Sequence, residues 1–170
     1  NRRSTKVTVV GAGNVGMAVV QGLLVQKLAD EIVIFDLNSD RLKGEMMDAH
    51  YAGAYLPLGK IHFSDKYSAT ANSDLCIVAT GIVKKDGESR YDLLSRNIAK
   101  FKKLVPAIVD YSPNCVILVV SNPVDQMTYV AWKLSGLSAG RVFGAGTNLD
   151  SSTYQFLIGG HFNVSPHDVK

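Results

Sequence analysis

The sequence predicts an α/β protein with a doubly wound parallel sheet, a Rossmann fold of six strands. Three observations carry that prediction. Short β-branched runs alternate with longer stretches whose apolar residues recur every three or four positions. Those runs are apolar on almost every residue, as strands buried on both faces are. A glycine array also follows the first run at once, where a tight strand-to-helix turn is required.

The elements follow in order. A strand is expected over 6–11 (KVTVVG) and a helix over 14–28, then a strand over 31–36 (EIVIFD) and a helix over 39–52. Strands at 60–64 (KIHFS) and 74–80 (DLCIVAT) precede a helix over 90–110. A fifth strand at 115–121 (CVILVVS), a helix over 124–135, a sixth strand at 141–146 (RVFGAG) and a helix over 149–159 complete the series. Strands and helices in alternation form a parallel sheet with helices on both faces. No internal repeat, low-complexity tract or linker interrupts them.

Composition narrows the function classes. With 170 residues, 46% of them hydrophobic and 19% charged, the chain is long enough for one globular domain with a substantial core. Its longest apolar runs, such as CVILVV at 115–120, are far too short to span a bilayer, so no membrane partner is expected. The formal charge is +3, and the cations lie in scattered pairs (Lys84–Lys85, Lys102–Lys103) rather than in a stripe. Nothing there supports a nucleic-acid partner. Cys76 and Cys115 sit inside apolar runs with no partner at metal-ligand spacing, so they are expected to be buried thiols in a reducing compartment, and no metal is expected. NRRSTK runs straight into the first strand without a secretory signal, which points to the cytoplasm. The chain starts at Asn1 and stops at SPHDVK with no helix stop or polar tail, so a segment of a longer protein is expected.

The first strand leads into VVGAGNVGMA, in which Gly11, Gly13 and Gly16 form a G-x-G-x-x-G array. Alone the motif is weak, because glycines at a tight turn need no ligand. Here the helix begins immediately, so its free N–H groups and positive dipole end face whatever fills the turn. Gly11 permits the turn, Gly13 the close approach of a diphosphate, and Gly16 the packing of helix on strand. Asp36 ends the second strand twenty residues past Gly16. An acid there accepts hydrogen bonds from both hydroxyls of an adenosine ribose and repels a 2′-phosphate, which favours NAD over NADP. Capping of the next helix is the plainer role for Asp36. The glycines upstream make the dinucleotide site the better reading.

After the fourth strand comes TGIVKKDGESRYDLLSRN (80–97), an exposed loop with a D-G turn signal and Arg90 opening a helix. On composition alone it is an ordinary solvated loop. Its place at a strand carboxyl end, beside the switch point of a doubly wound sheet, argues that it faces a ligand. VVSNPVD (119–125) ends the fifth strand at the same edge, where Pro123 pre-sets a helix start and leaves the Asn122 amide towards the cleft.

VTVVGAGNVGMA, LKGEMMD, TANSDLCIV, GESR, YSPNC, VVSNPVD, TYVAWKLSG and GTNLDSS occur in that order. Together they resemble the L-lactate dehydrogenases, most closely those of the animal type, and more loosely the malate dehydrogenases. The resemblance covers the whole chain and implies hydride transfer between NADH and a small 2-oxo acid, in a protein that is a homo-oligomer at full length. It implies a cofactor domain over 1–146 and, over 147–170, a helix and the start of a catalytic domain. By resemblance, Arg90 is the loop arginine that closes over substrate and polarises its carbonyl. Asn122 is shared by substrate and cofactor, and Asp150 orients a catalytic histidine and stabilises its protonated form. Gly11, Gly13, Asn14, Val15, Gly16, Asp36, Thr80, Gly81, Asn97, Val120 and Asn122 are the expected cofactor residues.

Three departures are visible. None of His50, His62, His161 and His167 lies in the GEHGD-like stretch that carries the family's histidine. Thr153, one helical turn past Asp150, stands where the family has an arginine that clamps the substrate carboxylate. With about 1.5–3 kcal/mol per charge-assisted bond against about 1 for a neutral one, substrate binding is expected to weaken by a hundredfold or more, while dinucleotide binding is untouched. Lys84 replaces the family's usual glutamine (arginine in malate enzymes), and the adjacent Val83 replaces an arginine that reaches the cofactor phosphates. Lys84 would meet a second substrate carboxylate, as on oxaloacetate, or stand in solvent.

Two functions follow. One is an NAD-dependent L-2-hydroxy acid dehydrogenase, with lactate/pyruvate favoured and malate/oxaloacetate kept in view, whose 170-residue segment does not turn over alone. The other is a dehydrogenase-like NAD-binding module without catalysis, of the kind found fused behind a ubiquitin-conjugating-enzyme variant.

Overall fold

Each of the six apolar runs forms a strand, and none is longer than the run that predicts it. The structure, a computed structural model, describes residues 3–52, 60–82 and 86–169, apart from the side chains of His50, Ala52 and Arg90. The strands are β1 (Lys6–Val10), β2 (Glu31–Phe35), β3 (Lys60–Ser64), β4 (Leu75–Val78), β5 (Val116–Val119) and β6 (Val142–Gly144). The helices are α1 (Asn14–Val25), α2 (Ser39–Ala52), α3 (Arg90–Tyr111), α4 (Val124–Ser135) and α5 (Gly146–Phe162). Short 3-10 turns at Tyr67–Thr70, Ala139–Arg141 and Pro166–Asp168 were not expected from the sequence.

All the ladders are parallel, in the order β3-β2-β1-β4-β5-β6. Val9 of β1 stands beside Ile34 on one side and Ile77 on the other. From β1 the chain winds outward through β2 to β3, then returns past β1 and winds the other way through β4, β5 and β6. The loops after β1 and β4 therefore diverge and leave a crevice at their carboxyl ends, the switch point of the fold.

Period-two alternation within the strands splits the core between the two faces of the sheet. Val10, Cys76, Val78, Ile117 and Val119 meet Phe101, Leu104, Val105 and Ile108 of α3 and Met127 and Ala131 of α4. Val7, Val9, Ile32, Ile34 and Ile77 meet Val20 and Leu23 of α1 and Leu42 of α2. Phe101, Ile108 and Val9 are fully buried, each worth about 1.5–3 kcal/mol in transfer free energy. Cys76 and Cys115 are free and buried, as the sequence suggested. The hydrogen bond with Cys115, together with burial, holds the Cys76 thiol well above its ordinary pKa, so it stays neutral.

Helix boundaries have local causes. Ser89 caps α3 by accepting a hydrogen bond from the Asp92 N–H at 3.1 Å, and Asp92 reaches back to the Ser89 N–H at 3.3 Å. α1 stops at Val25, short of the expected 28, because Lys27 takes a left-handed φ of 53°. α5 starts at Gly146 rather than at 149. A Cβ on Gly146 would stand 2.5 Å from Val124 Cγ1, so the absence of a side chain lets this helix begin against α4. No helix among the described residues is long and apolar enough to cross a membrane.

Candidate functional site

The glycine turn is built by close approaches that only glycine allows. Gly11 has φ of 109°, and a Cβ there would stand 2.9 Å from the backbone N and Cα of Thr80. A Cβ on Gly16 would overlap the Gly11 carbonyl oxygen, so Gly16 lets α1 sit down on the turn. At Gly13 the nearest atom to such a Cβ among the described residues is an Arg41 guanidinium nitrogen at 3.8 Å, which leaves room above the turn. The turn is tied to β2, since the Gly11 N–H donates to the Phe35 carbonyl at 2.7 Å and the Ala12 N–H to Asp36 Oδ2 at 2.8 Å. The second Asp36 oxygen accepts from the Asn38 N–H at 3.0 Å. Both oxygens are thereby oriented while each keeps a lone pair for a ligand.

A cavity of about 680 Å³ opens there, lined by Gly11, Gly13, Asp36, Arg41, Thr80, Gly81 and Lys100 among others. A second, of about 620 Å³, shares Gly13, Arg41, Ala79 and Gly81 with it and reaches Asn14, Val15, Val120 and Asn122. Beside the first lies a smaller, apolar pocket of about 110 Å³ lined by Val10, Phe35, Tyr67 and Leu104 together with Asp36, Thr80, Lys100 and Lys103. Burial pushes the Tyr67 phenol up, so it remains neutral against Phe35, with ring centroids 4.7 Å apart. In sequence, these spaces offer an apolar slot for a planar base, an acid for a ribose diol, a helix N-terminus for a diphosphate, and a further cleft of mixed polarity for a second ring. That series of subsites suits a dinucleotide.

Matching against known families and proteins agrees. The model of the lactate/malate dehydrogenase NAD binding domain matches residues 5–144. The chain belongs to the lactate/malate dehydrogenase family. It is 52% identical over 170 residues to L-lactate dehydrogenase B of Hordeum vulgare, covering all of this chain and 49% of that protein. It is 52% identical over 169 residues to L-lactate dehydrogenase of Zea mays, covering 99% of this chain and 48% of that protein. Against L-lactate dehydrogenase B-B chain of Danio rerio the identity is 50% over 161 residues, covering 95% and 48%. Plant and animal enzymes are thus matched about equally well, and the chain spans about half the length of the curated relatives it matches. NAD is the family's cofactor, and the residues around the cleft fit it.

Of the expected cofactor residues, Gly11, Gly13, Asn14, Val15, Asp36, Thr80, Gly81, Val120 and Asn122 line the cleft. Two others act from behind it. Gly16 supports the turn, and Asn97 is 1% exposed. The Asn97 carboxamide oxygen accepts from the Ile82 N–H at 3.0 Å and its nitrogen donates to the Asn122 carbonyl at 3.0 Å. It therefore pins together the loops that follow β4 and β5. Ser121 adds a second tie, its hydroxyl shared between the carbonyls of Val78 at 3.0 Å and Thr80 at 2.5 Å. Replacing Asn97 with alanine is expected to lower unfolding free energy by about 1–2 kcal/mol, because it removes two part-buried hydrogen bonds and the packing of a buried carboxamide. Urea denaturation measures this, and a loss below about 0.5 kcal/mol would contradict the assignment.

The expected catalytic and substrate residues are less completely placed. Arg90 is the first residue of α3, and its side chain lies outside the described residues. Lys84 and Val83 fall outside them altogether. Asp150 and Thr153 are exposed on α5 and line none of the three spaces. The Thr153 hydroxyl donates back to the Leu149 carbonyl at 3.1 Å. The residues missed in the sequence are Arg41, Tyr67 and Lys100. Lys100 had one signal, since it interrupts the inward stripe of α3 formed by Asn97, Phe101, Leu104 and Ile108.

Proposed function

We propose that the chain is the cofactor-binding half of an NAD-dependent L-2-hydroxy acid dehydrogenase, acting on L-lactate and pyruvate first and on malate and oxaloacetate second. The observation that carries this reading is the continuity of the glycine turn, Asp36 and the Asn122 cleft in a chain half identical to L-lactate dehydrogenases. In it, residues 1–146 form the cofactor domain, 147–170 open the catalytic domain, and the full-length protein is a cytoplasmic homo-oligomer.

NADH, when bound, supplies the hydride. Asp36 holds the adenosine ribose, and the N-terminus of α1 faces the diphosphate. Asn122, in the lining of the second cleft, would orient the nicotinamide end and the substrate carbonyl. Arg90 would close over the substrate and polarise that carbonyl, and the capping box at Ser89 fixes the helix start to which its backbone belongs. Asp150 accepts the N–H of a histidine and stabilises its protonated form. The four histidines of these residues do not match the family's histidine motif, so the 170-residue chain by itself is expected not to turn over.

Thr153 favours a second reading, a dehydrogenase-like module that binds NAD without catalysis, alone or fused to another domain. Its hydroxyl is used on the Leu149 carbonyl, and it offers no charge to a substrate carboxylate. NADH titration with and without oxamate, in the longest natural form of the chain and in Thr153→Arg, separates the two. The dehydrogenase reading expects oxamate to tighten NADH weakly in the parent and about tenfold more in the variant. A response restricted to the variant would turn the assignment to the module. Absence of NADH binding in both would overturn both readings.

A further inference from the structure

We infer that Lys100 is a phosphate-binding residue of this cleft, contacting the diphosphate of the dinucleotide from the side opposite α1. The inference rests on the NAD reading and adds to it a residue that the glycine motif does not contain.

The position of the ammonium is defined by Thr80. Lys100 Nζ donates to Thr80 Oγ1 at 2.6 Å, and Thr80 is itself only 8% exposed. The Thr80 backbone lies against Gly11, 2.9 Å from where a Gly11 Cβ would stand. The charged end of Lys100 is therefore held beside the glycine turn rather than extended into solvent. Its stem lines the apolar pocket with Phe35, Tyr67 and Leu104, so the residue stands where the base slot meets the turn.

The charge at this point has no counter-ion of its own. Among the described residues Lys100 forms no ion pair, and one of its three N–H donors is used on a neutral hydroxyl. Asp36 lines the same cavity without forming an ion pair with Lys100, its oxygens oriented by the Ala12 and Asn38 N–H groups towards the ribose position. The remaining N–H donors of this half-buried ammonium are available to an anion in the cavity that Lys100 lines, where a charge-assisted hydrogen bond is stronger than the one to the neutral hydroxyl. Arg41 brings a second cation to the same cavity, its guanidinium 3.8 Å from the Cβ position of Gly13. A diphosphate between them would carry its two negative charges over the turn, with the α1 N–H groups below and Lys100 beside it.

Phosphate chemistry could reach Lys100 from another source, the 2′-phosphate of an adenosine ribose. Asp36 stands at the ribose and opposes that group, whereas the contact between Thr80 and Gly11 places the ammonium at the turn, so the diphosphate is the ligand favoured.

The test is calorimetric titration of the parent chain, Lys100→Met and Lys100→Gln with ADP, 2′-AMP, adenosine and NADH. Both variants remove the charge while keeping most of the stem, and thermal melting identifies whichever is folded. The expected result is about tenfold weaker ADP and NADH binding in the folded variant, adenosine affinity within about twofold of the parent, and a shallower salt dependence for ADP. Equal ADP affinity in parent and variant would overturn the assignment of Lys100 while leaving the NAD reading intact. Loss confined to 2′-AMP would overturn the diphosphate assignment. Failure of the parent to bind either ADP or NADH would overturn the NAD reading itself and this inference with it.

Discussion

Replacing Gly16 with alanine is expected to abolish measurable NADH binding and to lower unfolding free energy by about 3 kcal/mol. The added Cβ would overlap the Gly11 carbonyl oxygen, and Val9 Cγ1 would lie 3.6 Å away on the other side. Backbone cannot turn aside as a side-chain rotamer can, so α1 must rise off β1. The movement withdraws the N–H groups of α1 from the position of a diphosphate and opens the packing around Val20 and Leu23. Gly22 lies in the same helix with nothing within 4 Å of its Cβ position. Gly22→Ala is therefore the matched control, expected to stabilise the chain by about 0.5–1 kcal/mol with NADH affinity unchanged. Urea denaturation and NADH fluorescence titration measure both variants. A Gly16→Ala chain that bound NADH within about threefold of the parent would show that the turn tolerates the strain the geometry assigns to it.

The second large effect concerns Asp36. Asp36→Ala removes two charge-assisted hydrogen bonds to the ribose and leaves the Ala12 and Asn38 N–H groups without their acceptor. At about 1.5–3 kcal/mol per charge-assisted bond, NADH affinity is expected to fall by roughly a hundredfold or more. NADPH should lose much less, since its 2′-phosphate no longer meets a carboxylate. The ratio of NADH to NADPH affinity therefore falls, and Asp36→Asn separates the causes. Asparagine keeps one acceptor oxygen for the turn while removing the charge, so it should preserve stability better than alanine yet relax the cofactor preference. An unchanged preference in both variants would mean that Asp36 serves only the turn.

How much of this was legible in the sequence depended on the range over which each signal acts. The central strands β1, β2 and β4 were readable because burial on both faces makes nearly every residue of a run apolar, as in VTVV and EIVIF, whereas β3 and β6, at the two edges of the sheet, are only partly buried. Gly11, Gly13, Gly16 and Asp36 were readable because a tight turn and a strand end impose local constraints at fixed spacing. Asn97 resembled a cofactor neighbour, but its burial and its bonds to Ile82 and Asn122 arise only when β4 and β5 lie side by side. Lys100 was missed for the same reason. Its partner Thr80 is twenty residues away in the chain, and only the packing of α3 on the sheet brings the two together. The early start of α5 at Gly146 likewise depends on α4, since GTN has no helix-forming character of its own.

The Thr153 position marks a limit of a different kind. Its identity is plain in the sequence, and the structure adds that its hydroxyl is engaged with its own helix. The consequence for substrate concerns charge rather than fold. On the proposed function, the cofactor cleft and a substrate carboxylate site at Thr153 would be separable, the first intact while the second is weakened.

The most direct measurement is a fluorescence titration of the 170-residue chain with NADH, run beside NADPH at the same ionic strength. A folded cleft of this geometry predicts saturable NADH binding at least about tenfold tighter than that of NADPH, with no pyruvate turnover by this chain alone. A folded chain that failed to saturate with NADH would contradict the assignment of the cleft as a dinucleotide site. Equal affinity for the two cofactors would contradict the role given to Asp36.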